Sequence, residues 1–163
     1  MAIRNLRYDG DEILRKRSKE IEKIDEKIVE LAQDMMDTMH KWNGLGLSAV
    51  QVGVLKRLVV MDMYEDGEQY ILINPVIIKE KGTQECDEGC LSFPNEFARV
   101  VRPKEVTVEA LDENGKKIKI KATDLLAQCI AHELDHLDGV LFVDRMIPGT
   151  LQYVDPNEQN PEE

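Results

Sequence analysis

No apolar run in the sequence approaches the roughly 18 residues needed to span a bilayer, and the start, MAIRNLRYDG, lacks the apolar stretch of a secretory signal. A cytoplasmic protein is expected, with no membrane partner. Cysteine is scarce: Cys86, Cys90 and Cys129 cannot all pair within one chain, and a reducing cytosol would keep them as thiols. A disulfide framework is thereby excluded, and at least one thiol needs another role. Bases are outnumbered, 21 against 32 acids, and the formal net charge of -11 repels a phosphate backbone. Stable nucleic-acid binding is not expected. Aromatic residues make up only 5% of the 163 positions, but 42% are hydrophobic, which suits one compact domain with a real core.

From Asp25 to Met39 the apolar residues Ile28, Leu31, Met35, Met36 and Met39 recur at steps of three and four, the pattern of one helix face, with Asp25 placed to cap the start. The methionine sulfurs are expected to fill core. The segment NGLGLSAVQVG carries three glycines, Gly44, Gly46 and Gly53, and reads as an irregular loop. Arg57 to Met63 and Tyr70 to Ile78 are apolar and β-branched, so they predict a hairpin, with Pro75 marking an edge or a bulge. A second hairpin is predicted from Lys104 to Leu111, across DENG, to Ile118 and Ile120. Thr123 or Asp124 then caps a helix that runs to about Leu137 and stops at Gly139. This order gives an α+β fold, with antiparallel strands packed around a central helix in a single domain over residues 1–150. Residues 151–163 form an acidic tail expected to be disordered, because DPNEQNPEE is nearly devoid of apolar groups.

The chemistry is concentrated in AHELDHLDG. His132 and His136 lie four apart, on one face of a helix and within reach of one metal ion. Glu133 lies about 100° round the helix from His132, where it can work on a metal-bound water without being a ligand. With three histidines in the chain, HExxH would arise by chance in roughly half a percent of comparable sequences. Leu125, Cys129, His132 and His136 form one stripe, so an apolar wall of Leu125 and Cys129 beside two imidazoles suits a small pocket for an apolar side chain next to a reactive centre.

A catalytic site of this kind takes three protein ligands and leaves a fourth position for water. In HExxHxxGxxH the third ligand is a histidine; Gly139 matches the glycine, but the last position is Phe142. Downstream glutamates occur only in the polar tail, as Glu158, Glu162 and Glu163. A thiolate from ECDEGCLSFPNE remains, from Cys86 or Cys90, while Cys129 lies only one turn before His132, a strained position for sharing a coordination sphere. GLGLSA also matches a relaxed dinucleotide fingerprint, but a helix precedes it and too few residues follow for a crossover helix.

GLGLSAVQ (Gly44 to Gln51), EGCLSFP (Glu88 to Pro94) and HELDH (His132 to His136), in this order, resemble the three signature segments of peptide deformylases. The resemblance spans about Ile3 to Arg145. It implies removal of the formyl group from the N-terminal methionine of newly made polypeptides, releasing formate, with Cys90, His132 and His136 as ligands of Fe2+, for which Zn2+ or another divalent metal can substitute. It implies Glu133 as general acid/base for attack of metal-bound water on the formyl carbon, and Gln51 with the backbone N–H of Leu91 as donors to the developing oxyanion. Gly46, Gly89, Leu125, Gln128 and Cys129 are the expected substrate-binding positions. N-formylmethionyl peptides and nascent chains are the expected partners, with transient ribosome proximity and a monomeric state. The alternatives are an HExxH metalloendopeptidase and a non-catalytic metal-stabilised module closed by Cys86 or Cys129.

Departures from the pattern are local. Ser48 stands where that loop commonly has alanine and reads equally well as an exposed loop serine; Gln128 stands where an apolar residue commonly lines the methionine pocket. Arg102 reads either as steering the substrate's acidic or carbonyl groups or, by default, as a solvated arginine. No Lys or Arg follows Arg145, so the basic C-terminal helix of some members is lacking.

Overall fold

The structure is a computed structural model and describes residues 2–65 and 68–155. Among these, helix α1 spans Glu26–Lys41, α2 Asp124–Leu137 and the short α3 Phe142–Arg145; the strands are β1 Gly46–Ser48, β2 Leu58–Asp62, β3 Gln69–Cys90, β4 Phe93–Leu111, β5 Lys117–Thr123 and β6 Gln152–Tyr153. They form one antiparallel sheet in the order β1-β2-β3-β4-β5, with β6 added to β4.

Side-chain alternation along β2 explains the layering. Leu58 and Val60 join Ile73 in a cluster beneath the Ile28, Leu31, Met35 and Met39 face of α1. Val59 and Met61, pointing the other way, join Leu72, Val106 and Val108 against Ile130, Leu134 and Leu137 of α2. A strand covered on both faces must read as a continuous apolar run, which is why RLVVMD shows no polar alternation. Full burial of one such side chain contributes about 1.5–3 kcal/mol. Helix α1 is capped as expected, with Asp25 Oδ1 accepting from the Ile28 N–H at 3.1 Å.

Pro75 does mark a bulge. The β3–β4 register shifts between Ile73 and Val76, and Asn74 there has φ 52°. The Asn74 side chain turns back to the N-terminal segment, exchanging two 2.8 Å hydrogen bonds with the Ile21 backbone.

Three expectations are corrected. The glycine-rich segment is not wholly irregular: Gly46–Ser48 pairs with Val59–Met61, and only then does a 3-10 turn, Ala49–Val52, end at Gly53 with φ 84°. Backbone pairing to the buried β2 outweighs the low strand propensity of glycine. The strands around Lys79–Pro103 continue the two hairpins into one long, bent ribbon whose tip is Leu91–Ser92, between the paired Cys90 and Phe93. The start of the acidic tail is ordered as β6, Gln152 pairing with Phe97 and Tyr153 with Glu96. The rest, 156–163, lies outside the described residues.

Gly139 ends α2 with φ 74°, and a Cβ there would lie 2.4 Å from the Arg15 carbonyl oxygen. Both the conformation and the close approach require glycine.

Candidate active site and metal centre

A cleft of about 710 Å³ opens between the tip of the β3–β4 ribbon, the segment before β1, and α2. Two elements bring side chains together at its inner end. Helix α2 brings His132 and His136, their ring centroids 5.0 Å apart. The register shift between Gly89 and Cys90 turns the Cys90 thiol toward them, the re-aiming that a bulge beside a site provides. Cys90 Sγ lies 3.3 Å from His136 Nε2, and one ligand atom from each of Cys90, His132 and His136 falls within 4.8 Å of the others. Among the described residues this is the one such cluster.

The donor set fits a divalent metal ion. Tetrahedral bonds of about 2.0–2.3 Å to nitrogen and sulfur place neighbouring ligand atoms about 3.5 Å apart, close to the sulfur–nitrogen distance seen. The side chains behind the cluster support the same use. His132 Nδ1 hydrogen-bonds Glu88 Oε1, so Nε2 faces the cluster. Glu88 in turn accepts from Arg102 Nη2 at 2.5 Å and Nε at 3.0 Å, and Arg102 Nη1 donates to Asp135 Oδ2 at 2.6 Å. Burial alone would raise the Glu88 pKa, but the hydrogen bonds from His132 and Arg102 outweigh it and hold the carboxyl at about 2. Burial drives His136 well below the usual histidine range, which favours the neutral, ligating imidazole.

Glu133 is 4% exposed, and its Oε2 lies 4.0 Å from His132 Nε2. Its Oε1 has no hydrogen-bond partner, and burial pushes its pKa up to about 7. Gly46 gives this carboxylate its room: a Cβ at Gly46 would lie 2.8 Å from Glu133 Oε2 and 3.0 Å from Cys129 Sγ. Gln51 Nε2 donates to Ser92 Oγ at 3.1 Å and reaches Cys90 Sγ at 3.5 Å, so the amide borders the cluster. Leu91 follows Cys90 at the ribbon tip and, with Gly46, Gly89, Leu125, Gln128 and Cys129, lines the cleft.

Several positions differ from expectation. Leu125 is 50% exposed and forms rim, not buried wall, because the first turn of α2 stands at the cleft mouth. Gly89 removes bulk where a peptide backbone could approach, but the space is filled by the Phe97 ring, 2.8 Å from where a Cβ would sit. Arg102 is buried at 2% exposure between Glu88 and Asp135, not solvated. Ser48 is fully buried, and Gln128 Nε2 is tied to the Asp87 carbonyl oxygen at 3.1 Å and Glu88 Oε2 at 3.3 Å. Cys86 and Cys129 stand outside the metal cluster. Phe142, where another HExxH class has its third histidine, packs edge-on to Phe93 at 5.1 Å in the cluster that also holds Cys90. Glu88 and its arginine are the functional partners that pattern reasoning missed; the pairing is across strands and leaves no periodic signal.

A Cys-His-His cluster with both histidines buried, beside a buried glutamate with an unpartnered oxygen, in an α+β fold, defines a metallohydrolase site. The polypeptide deformylase family model matches residues 3–151, and the chain belongs to that family. It is 51% identical over 145 residues to peptide deformylase 2 of Clostridium acetobutylicum, covering 88% of this chain and 95% of the relative. With the peptide deformylase of Lachnoclostridium phytofermentans it shares 48% identity over the full length of both. The crystal structure of a peptide deformylase from Legionella pneumophila superposes with a TM-score of 0.87 at 47% identity, over 90% of this chain and 88% of that one. One from Synechococcus elongatus, in complex with actinonin, gives 0.86 at 43% identity, over 89% and 81%. The activity of the family is metal-dependent removal of the N-formyl group from newly made polypeptides. No helix among the described residues is long and apolar enough to cross a membrane.

Proposed function

We propose that Cys90, His132 and His136 hold an Fe2+ ion, replaceable by Zn2+, and that Glu133, Gln51 and the Leu91 N–H carry out deformylation of N-formylmethionyl peptides and nascent chains around it. The observation that carries this reading is the convergence of three ligand atoms within 4.8 Å beside a buried carboxylate with one unpartnered oxygen. Held by Cys90, His132 and His136, a divalent ion would supply a bound water of pKa lowered from about 15.7 toward ~7. Glu133, with its pKa raised to about 7 by burial, is poised to take a proton near neutral pH and return it to the leaving amine as formate departs. Gln51 Nε2 and the Leu91 N–H are the donors for the oxygen that gains charge, and the loss of one such donor costs roughly 10²–10³ in rate.

The substrate methionine is assigned to the cleft beside Gly46, Gly89, Leu125, Gln128 and Cys129. Gln128, held by Asp87 and Glu88, makes one wall polar and so sets side-chain preference among apolar N-terminal residues. The protein acts as a monomer in the cytoplasm. Residues after Arg145 include no bases, so ribosome proximity is transient and does not depend on this tail.

The decisive experiment incubates metal-loaded protein with a formyl-methionyl peptide and measures released formate. Stoichiometric formate is expected, and its absence would refute the reading. Cys90→Ala is expected to lose the metal in elemental analysis while Cys86→Ala keeps it. For the iron assignment, activity is expected to decay in air and to persist under anaerobic handling.

A further inference from the structure

Gln51 must present its N–H group, not its carbonyl oxygen, to the reacting centre, yet the two ends of an amide are nearly the same shape. The surroundings of Gln51 Oε1 decide between them. That oxygen lies 3.0 Å from the Ser48 backbone nitrogen and 3.1 Å from Ser48 Oγ. A backbone N–H can only donate, so the end it meets is the acceptor, and the hydroxyl beside it is left to donate to the same oxygen. The NH2 group is thereby turned the other way, to Ser92 Oγ at 3.1 Å and Cys90 Sγ at 3.5 Å. Ser48 is 0% and Gln51 1% exposed, so no bulk water can replace a lost donor. The backbone that carries the Ser48 hydroxyl is held in place: β1 pairs Ser48 with Val59, and the 3-10 turn that follows brings Gln51 back over it.

We propose that Ser48 is a positioning residue of the deformylase site, its hydroxyl donating to Gln51 Oε1 and so fixing the Gln51 N–H group toward the metal-site thiol. The proposal rests on the reading of Gln51 as an oxyanion donor. Without the hydroxyl, one donor remains on Oε1, and the amide plane gains freedom to rock away from its working direction. A buried acceptor loses one neutral hydrogen bond, an effect equivalent to about three- to tenfold in rate.

The test is a double-mutant cycle on protein matched for metal content, using Ser48→Ala, Gln51→Ala and the double variant with a formyl-methionyl peptide. Ser48→Ala is expected to lower kcat about three- to tenfold with KM within twofold of the parent, and to cause no further loss when Gln51 is already alanine. In the metal-loaded protein, the side-chain amide proton signals of Gln51 are expected to shift and exchange faster in Ser48→Ala. A merely structural hydroxyl would lower the melting temperature and reduce kcat equally in both backgrounds, and that result overturns the proposal alone. An unchanged kcat in Ser48→Ala also overturns it. Full activity in Gln51→Ala would instead remove the oxyanion assignment, and this proposal with it.

Discussion

The two long helices bury polar side chains in opposite ways. On α1, Asp34 and Thr38 are 3% and 0% exposed, and every polar atom is engaged. Asp34 Oδ1 accepts from the Ala2 N–H at 2.9 Å and Oδ2 from Arg4 Nε at 3.0 Å, while Thr38 Oγ1 donates to the Asp34 carbonyl oxygen and accepts from the Arg4 N–H. On α2, Glu133 Oε1 and His136 Nδ1 are buried without a partner. An unpaired buried polar atom costs about 1–3 kcal/mol, so the second helix stores a cost that the first avoids. The contrast separates the two helices: α1 spends its polar groups fastening the N-terminal segment, and α2 leaves Glu133 Oε1 and His136 Nδ1 unpartnered at the Cys90-His132-His136 cluster.

Exchanging the two carboxylates for amides breaks the comparison most sharply. Glu133→Gln keeps shape and metal but cannot accept a proton, so kcat is expected to fall by about 10²–10⁴. Its melting temperature is expected to be equal to or above that of the parent, since a carboxyl that resists charge is replaced by a neutral group. Turnover within tenfold of the parent, at full metal content, would remove Glu133 as the base.

Glu88 tests the same contrast from outside the metal cluster. Unlike Glu133, it has both oxygens engaged, by His132, Arg102 and Gln128. Glu88→Ala frees the His132 ring and leaves the buried Arg102 with Asp135 as its remaining carboxylate partner. Metal affinity is expected to fall about 10–100-fold, measured by chelator competition. Unchanged affinity would mean that the helix alone orients His132.

What the sequence disclosed and what it hid follow the same division. Periodicity exposed both helices, because an amphipathic face repeats locally, and HExxH exposed three candidate site groups because they lie within five consecutive residues of one helix. The ribbon that carries Glu88 and Cys90 was less visible: from Lys79 to Asp87 its first strand is largely exposed, and the strand opposite buries the charged Arg102 in line with Ala98 and Val100, so no steady apolar alternation marks it. Burial of Ser48 and Arg102 was hidden for a related reason. Their partners, Gln51 on one side and Glu88 with Asp135 on the other, are set by the turn after β1 and by pairing across elements. Cys90 could be chosen over Cys86 only through the EGCLS resemblance; in the structure the bulge after Gly89 explains why one thiol reaches the histidines and the other does not.

On α1 the expected effects move to stability. Burial alone would raise the Asp34 pKa, but the Ala2 N–H and Arg4 overcome it and hold the carboxyl below the ordinary 3.8. A carboxyl depressed in the folded state adds stability above its unfolded pKa, and that gain is lost as pH falls through the folded value. Asp34→Asn is therefore expected to cost about 1–2 kcal/mol at pH 7, discounted because Arg4 is partly exposed, with kcat and metal content unchanged. In urea titrations, the gap between parent and variant should be constant from pH 8 to 5 and close below about pH 4. A gap that persists there would assign the stability to shape, not charge.

The smallest expected effect is at Thr38. Its hydroxyl sits between two backbone groups, accepting from the Arg4 N–H at 2.9 Å and donating to the Asp34 carbonyl oxygen at 2.7 Å. Thr38→Val preserves volume and β-branching, and the Asp34 carbonyl keeps its place in the helix ladder, so the main loss is the acceptor for one N–H at the partly buried N-terminal segment. The expected cost is about 0.5–1.5 kcal/mol by urea unfolding, with no change in kcat. The effect should also be non-additive with Asp34→Asn, because Arg4 contacts both side chains and is already loosened once either is altered. Full additivity would show that Arg4 is held by each residue independently, and that α1 fastens the N-terminal segment through separate contacts, not through one shared network.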